Sequence, residues 1–80
     1  MIRVQVRLYA TLRTYAPQQK LGEPLVVKLP DGATVKQLIA ALGIPDNIVR
    51  KVFSQGRAVE EDYVLQDGED VGMFPPVAGG

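Results

Sequence analysis

One segment of this 80-residue chain carries every signal of an α-helix, and it constrains the fold more than any other. Thr34 is a residue type that caps helix N-termini, and Gln37 follows three residues later, as in a capping box. The apolar residues of the segment recur at helical spacing on one face: Val35, Leu38, Ile39 and Leu42. Gly43 and Pro45 end the pattern, because glycine favours helix C-termini and proline cannot continue a helix. The surrounding elements must cover this apolar stripe.

The residues before the helix alternate as strands do. Residues 2–8 place apolar side chains at every second position, with Arg3, Gln5 and Arg7 between them, the period of a strand with one face in a core. Residues 25–29 repeat the pattern, with apolar side chains at both ends and at Val27. The segment TLRTYAP between these strands predicts a short helix, in which Leu8, Leu12 and Tyr15 share a face and which Pro17 ends. Antiparallel pairing of the two strands is compatible with this connection.

The residues after the main helix predict two or three further strands. Residues 48–53 are a mixed apolar and basic run, with poor alternation but strand composition. SQG predicts a turn before a short edge strand over residues 57–59, and a DG turn precedes a final strand over residues 70–74. Strands on both sides of one principal helix indicate an α+β domain. The prediction is a single domain, residues 1–80, with a mixed sheet of four to five strands wrapped on one helix.

The composition limits what such a domain can do. The chain has no cysteine and no histidine, so it lacks disulfides, thiolate metal sites and the commonest neutral-pH base. Nine basic residues balance nine acidic ones, without the basic excess typical of nucleic-acid binders. Arginines interrupt the apolar residues of the N-terminus, which therefore predicts neither a signal peptide nor a membrane span. We expect a cytoplasmic protein that binds no metal, nucleic acid or membrane.

The remaining polar residues do not predict a catalytic set. Six of the nine acidic residues fall between Glu60 and Asp70, where they predict a solvated acidic loop rather than a carboxylate pair for acid–base chemistry. The chain's one serine, Ser54, lies in a turn sequence without a base beside it. The isolated glycines Gly68 and Gly72 form no phosphate-binding loop. An enzyme that works alone is therefore not predicted.

The C-terminal sequence FPPVAGG, residues 74–80, is the other candidate for a functional segment. Pro75 and Pro76 lack backbone donors, so they end sheet pairing and favour an extended chain. Small side chains follow, and the paired glycines 79 and 80 lack a Cβ, so the segment can pass through a narrow channel. Two interpretations stay open on the residues alone: a frayed end, or a thin reactive arm. Strand alternation at the base of this segment puts one of Met73 and Phe74 inward and the other outward. Either both are core or near-core residues, or one of them borders a partner site.

The order of the elements and the terminal Gly-Gly resemble the ubiquitin-like β-grasp fold. Residues 68–80, GEDVGMFPPVAGG, resemble the C-terminus of the molybdopterin-synthase small subunit, a member of the MoaD/ThiS sulfur-carrier family. VRLYATLRTYAP resembles that family's first strand and helix, and LPDGATVKQLIAALG its second turn and main helix. The resemblance spans nearly the whole chain, and PPVAGG is its most specific part. In place of the family's Asn-Gly turn this chain has SQGR, and Gly72 and Met73 stand where a larger or aromatic residue is typical.

The resemblance implies a function for the tail. An E1-like adenylyltransferase would use ATP to activate the Gly80 carboxylate, and a sulfur donor protein would convert it to a thiocarboxylate. The molybdopterin-synthase large subunit would then receive the sulfur for molybdenum- or tungsten-cofactor synthesis. Residues 75–79 would thread the partner's channel, and Met73 and Phe74 would lie near the docking surface. No cofactor would be bound permanently.

There are three alternatives to a sulfur carrier of molybdopterin synthesis. The chain could carry sulfur for thiamine or another thio-transfer pathway, although its long segment between Tyr15 and Pro24 favours the molybdopterin branch. It could be a ubiquitin-like modifier joined through Gly80 to lysines of target proteins. It could also be a non-covalent interaction domain whose tail does no chemistry.

Overall fold

A computed structural model describes residues 1–15, 24–49 and 51–75, without the side chains of Thr11 and Asp46. Its strands are β1 (Ile2–Leu8), β2 (Leu25–Leu29), β3 (Lys51–Ser54), β4 (Arg57–Val59) and β5 (Asp70–Phe74). In these ranges there is one α-helix, α1 (Val35–Ala41), and there are two 3₁₀ helices, Ala10–Tyr15 and Asp46–Ile48. None of these helices is long and apolar enough to cross a membrane.

The five strands form one mixed sheet in the order β2-β1-β5-β3-β4. β1 and β5 pair in parallel in the centre, and every other pair is antiparallel. β1 and β2 register with Ile2 opposite Leu29, as the alternation of both strands requires. The fold is a ubiquitin-like β-grasp, and the predicted α+β class is confirmed.

One face of the sheet packs on α1, and the other is open. The buried apolar core consists of Ile2, Val4, Val6, Leu8, Leu12, Leu29, Ala33, Val35, Leu38, Ile39, Ile44, Val52, Leu65, Val71 and Met73. Residues between them on the strands, such as Arg3, Arg7 and Asp70, are on the open face. This division follows from the two-residue period of the strands.

The predicted ends of α1 are confirmed. Thr34 accepts a hydrogen bond from the Gln37 backbone, and the Gln37 side chain accepts one from the Thr34 backbone at 2.8 Å. This reciprocal capping box satisfies two amide groups that the helix leaves without partners. Val35, Leu38 and Ile39 are buried, whereas Leu42 is the half-buried C-cap residue.

Two predicted elements differ from the structure. The segment after β1 is a 3₁₀ helix, the form that short helical connections often take. Leu8 is fully buried but belongs to β1, Leu12 is fully buried within the 3₁₀ helix, and Tyr15 is half-buried. The third strand begins at Lys51 rather than Ile48, since Asp46–Ile48 forms a 3₁₀ turn. The poor alternation of residues 48–53 reflects this change of structure within the run.

Candidate functional site

The final strand places the base of the predicted tail. β5 lies between β1 and β3, and its last residue, Phe74, is opposite Lys51 of β3. The Phe74 side chain is 37% exposed, and Pro75 after it is half-buried. Five predicted tail residues lie outside the described residues: Pro76, Val77, Ala78, Gly79 and Gly80.

The two predicted docking residues have opposite environments. Met73 is fully buried in the core, whereas Phe74 points to the open face. Strand alternation requires this difference between neighbours. The placement of Met73 at a docking surface is therefore corrected: its side chain supports β5 from inside, and Phe74 alone of the pair can contact a partner.

Three rings form an aromatic cluster on the open face of the sheet: Tyr9, Phe53 and Phe74. The rings of Tyr9 and Phe74 stack with centroids 4.5 Å apart and an interplanar angle of 3°. Phe53 meets Phe74 edge-on, at 5.6 Å and 88°. Such contacts stabilise by about 0.5–1.5 kcal/mol beyond the area they bury. They also hold partly exposed rings in fixed positions, a property of interface anchors.

Gly72 lies beneath this cluster in the middle of β5. A Cβ added there would be 3.3 Å from Cε2 of Tyr9 and 3.8 Å from Cε2 of Phe74. The first distance is tighter than an ordinary van der Waals contact. Glycine within a strand often marks such a close approach. The absence of a larger residue at position 72 is thus linked to the ring of Tyr9 above it.

An open cavity of about 360 Å³ adjoins the cluster. Its wall includes the three rings together with Arg7 and Asp70, whose charged groups are 3.8 Å apart. Both charged side chains are exposed, so their ion pair contributes little to stability, on the order of 0–1 kcal/mol. The combination of apolar rings and a polar rim resembles the layout of protein interfaces.

The opposite end of β5 holds a buried carboxylate. Glu69 is 7% exposed, and its Oε2 accepts hydrogen bonds from the hydroxyl groups of Ser54 and Tyr63, the latter at 2.9 Å. Its Oε1 accepts one from the backbone amide of Gln66. Two expectations are corrected here, because Glu69 is not part of a solvated acidic loop and Ser54 does have a carboxylate beside it. Ser54 is itself buried, so the contact ties β3 to the start of β5 rather than exposing a nucleophile.

The hydrogen bond to Glu69 raises the pKa of Tyr63 above its usual 10.0, with desolvation and the carboxylate's charge acting in the same direction. A donated phenol proton stabilises the neutral form beside the carboxylate. Within the described part of the chain, no group of three or more acidic residues could hold a metal ion.

A model of the family described as Mut7-C ubiquitin matches residues 1–78. The chain belongs to this family. No curated protein matches it.

Solved structures share the fold over almost the whole chain. A Pyrococcus furiosus protein assigned as molybdopterin converting factor subunit 1 is 27% identical with a TM-score of 0.74, covering 96% of this chain and 100% of its own. A Haloferax volcanii protein solved in solution is 28% identical with a TM-score of 0.76, covering 99% and 87%. A chain in a Helicobacter pylori complex of subunits 1 and 2 of molybdopterin-converting factor is 20% identical with a TM-score of 0.62, covering 99% of this chain and 100% of its own. The resemblance to the MoaD/ThiS carriers is confirmed at the level of family and fold.

Tyr9 and Phe53 are candidate site residues that the sequence analysis did not single out. The sequence signal that could have found Phe53 is strand alternation: it lies two residues after Lys51, so both side chains are on the same, open face of β3. Tyr9 follows β1 directly, and its amide donates to the carbonyl of Met73 at 3.2 Å. Only the register of three strands brings these rings to Phe74.

Proposed function

We propose that this chain is a sulfur-carrier protein of molybdopterin synthesis, with the Gly80 carboxylate as the group that is activated and loaded. The proposal rests on the position of the first residue of the tail. β5 ends at Phe74, beside the exposed aromatic cluster, and the sequence continues into PPVAGG. A partner that binds the cluster would therefore hold the base of the tail while closing on its end.

Activation is needed because a carboxylate is a poor electrophile. A carboxylate oxygen of Gly80 attacks the α-phosphorus of ATP in the active site of an E1-like adenylyltransferase, and pyrophosphate leaves. The sulfur of a donor then attacks the acyl carbon, forming a C–S bond while the bond to AMP breaks. With hydrosulfide the product is the thiocarboxylate and one proton; with a persulfide donor, a thiol must also reduce the acyl disulfide. The carrier itself supplies only the carboxylate and the surfaces that present it.

The proposal assigns three protein partners: the adenylyltransferase, the sulfur donor protein and the molybdopterin-synthase large subunit. The Helicobacter pylori complex of subunits 1 and 2 supports the last of these. ATP is consumed by the activating partner, and the expected compartment is the cytoplasm. The carrier is a protein substrate, or the small subunit of the synthase, rather than a catalyst alone.

The aromatic cluster is the proposed docking surface. Phe74 joins both ring contacts of the cluster, and interface energy concentrates in aromatic residues of this kind. Pro75 to Gly79 would form the thin arm that enters the partner's channel. Small residues near the end keep the arm narrow, and proline limits the conformations lost on binding.

The test is the intact mass of the protein after incubation with ATP, sulfide and the cognate activating enzyme. We expect one terminal oxygen to be replaced by sulfur. A variant lacking Gly80 should keep its fold, measured by circular dichroism, and lose the exchange. The mass of the protein isolated from its own cells must also correspond to a chain that ends at Gly80, as the carboxylate or the thiocarboxylate. Absence of exchange in the intact chain would contradict the proposal.

A second candidate, a ubiquitin-like modifier, uses the same activated carboxylate with a lysine amine as the acceptor. It is favoured by similar structures named small archaeal modifier protein 1, such as one from Haloferax volcanii at 22% identity and a TM-score of 0.74. Covalent adducts of higher mass in cell lysates, missing when Gly80 is deleted, would support this candidate. A thiocarboxylate without adducts would support the carrier.

A further inference from the structure

We propose that Tyr9 is a positioning residue for the tail: its ring, seated on Gly72, holds Phe74 and thereby sets the direction in which the tail leaves the sheet. This inference rests on the proposed function, since it concerns the presentation of Gly80 to an activating enzyme. It assigns Tyr9 a role separate from contributing area to the docking surface.

The backbone of Tyr9 is fixed on both sides. Its amide donates to the carbonyl of Met73 at 3.2 Å, and its carbonyl accepts from the amide of Leu12 at 3.1 Å. Leu12 is fully buried, so the second bond ties Tyr9 to the core. The ring therefore extends from a backbone that cannot easily shift relative to β5.

The residue after Tyr9 has an unusual conformation. Ala10 has a φ of 53°, in the left-handed region that non-glycine residues rarely adopt. The chain turns there into the 3₁₀ helix, directly after Tyr9, whose amide is bonded to Met73 near the end of β5. Strained backbone of this kind persists where the surrounding structure requires it.

Gly72 provides the seat for the ring. Its φ is not in the left-handed region, so its backbone does not call for glycine. A Cβ, however, would be 3.3 Å from the Tyr9 ring. The lack of a side chain at position 72 therefore serves the placement of the ring, which then stacks on Phe74 at 4.5 Å.

The two prolines after Phe74 restrict the backbone, so the orientation of Phe74 limits the direction of the residues that follow it. A residue before proline is restricted to extended conformations, and proline fixes its own φ near −65°. Phe74 precedes Pro75, and Pro76 follows in the sequence. Fixing Phe74 at the sheet thus limits the directions available to the first residues of the arm. A misplacement of about 1 Å can slow a reaction by about 100-fold, so this direction matters for activation.

The test compares Tyr9→Ala, Tyr9→Phe and Phe53→Leu as substrates of the activating enzyme, with thermal melting to verify folding. Tyr9→Ala should lower kcat about tenfold at saturating carrier, because the docked tail reaches the active site less often. Tyr9→Phe keeps the stacked ring and should behave as wild type. Phe53→Leu removes docking area without releasing the stack, and should raise KM with kcat unchanged. A Tyr9→Ala variant altered only in KM would reduce Tyr9 to a docking residue and overturn the proposal, as would loss of activity in Tyr9→Phe.

Gly72→Ala probes the seat directly. The added methyl should displace the Tyr9 ring and lower kcat in the wild-type background, and have no effect on kcat in the Tyr9→Ala background. Equal effects in both backgrounds would contradict the proposed coupling.

A measurement without the partner separates this inference from the proposed function. Backbone ¹⁵N relaxation should show larger fast motion at Phe74 and Val77 in Tyr9→Ala than in wild type or Phe53→Leu. If no activating enzyme accepts the wild-type chain, the proposed function fails, and the relaxation data still decide whether Tyr9 orients the base of the tail. Unchanged relaxation in Tyr9→Ala would contradict the inference by itself.

Discussion

The two ends of β5 use their side chains in opposite ways. Just before its start, Glu69 is buried and its carboxylate accepts hydrogen bonds from three residues, Ser54 of β3 and Tyr63 and Gln66 of the β4–β5 connection. At its end, Phe74 is 37% exposed and its side chain contacts the rings of Tyr9 and Phe53. The first end is a polar junction in which the acceptor Glu69 and the donor Ser54 are both buried. The second is an apolar surface that precedes the tail. The difference indicates that stability and partner recognition are divided between the ends of one central strand.

The largest expected effect on stability comes from removing the buried carboxylate. Glu69→Ala would leave the donors of Ser54, Tyr63 and Gln66 without their acceptor, at a cost of about 2–4 kcal/mol in the free energy of unfolding. Urea denaturation measures it. Glu69→Gln keeps an acceptor oxygen and should cost less. The folded fraction of either variant should accept sulfur as wild type does, and a specific loss of sulfur transfer would break the proposed division of roles.

Phe74→Ala should have the opposite pattern: a small loss of stability and a large loss of partner binding. Its cost in stability is expected to be about 1 kcal/mol, since the ring is partly exposed and loses two aromatic contacts. Affinity for the activating enzyme should fall about 10–100-fold, as for an interface anchor. Titration calorimetry measures the affinity, and Val26→Ala, another exposed side chain of the sheet, is the matched control. Equal affinities of Phe74→Ala and wild type would place the docking surface elsewhere.

Ser54→Ala tests one contact of the polar junction. The substitution removes a single donor to Glu69 and leaves two others, so a loss of about 1 kcal/mol is expected. Ser54 is buried on the core face of β3, opposite the face that carries Phe53, so binding to the partner should be unchanged. A change in affinity larger than the change in stability would show that the junction reaches the docking surface.

The smallest expected effect is a dependence of stability on alkaline pH. The fold raises the pKa of Tyr63, so the neutral phenol is favoured by folding. Its contribution to stability is complete below the unfolded-state pKa near 10.0 and is lost as the pH rises through the higher folded-state value. Denaturation at pH 9 to 11.5, compared between wild type and Tyr63→Phe, should show a steeper decline in wild type. If the stability of the two proteins declined equally with pH, the proposed contribution of the Tyr63–Glu69 hydrogen bond would be contradicted.

Local chemistry explains which parts of the fold the sequence predicts. The capping box at Thr34 depends on two residues three positions apart, and the strand faces depend on alternation within five to seven residues. The SQG turn is confirmed as well: Gln55 and Gly56 have φ values of 53° and 81°, the conformation of a two-residue hairpin. Each of these is decided by neighbours along the chain.

The candidate site depends instead on distant residues. In the sequence, Glu69 cannot be told apart from five nearby acidic residues. Its burial is possible because donors such as Ser54, fifteen residues away, bind its carboxylate. Tyr9 and Phe74 meet because β1 and β5 pair in parallel, which alternation alone does not reveal. The terminal Gly-Gly indicates a function only through family resemblance, since two glycines are also ordinary in a chain terminus.

The most direct test of the central claim is the mass of the chain after activation. Wild type, incubated with ATP, sulfide and the activating enzyme, should gain one sulfur in place of one oxygen, and fragmentation should locate that sulfur on Gly80. The variant without Gly80 should remain folded and unmodified. A folded wild-type chain that keeps both terminal oxygens under these conditions would contradict the account.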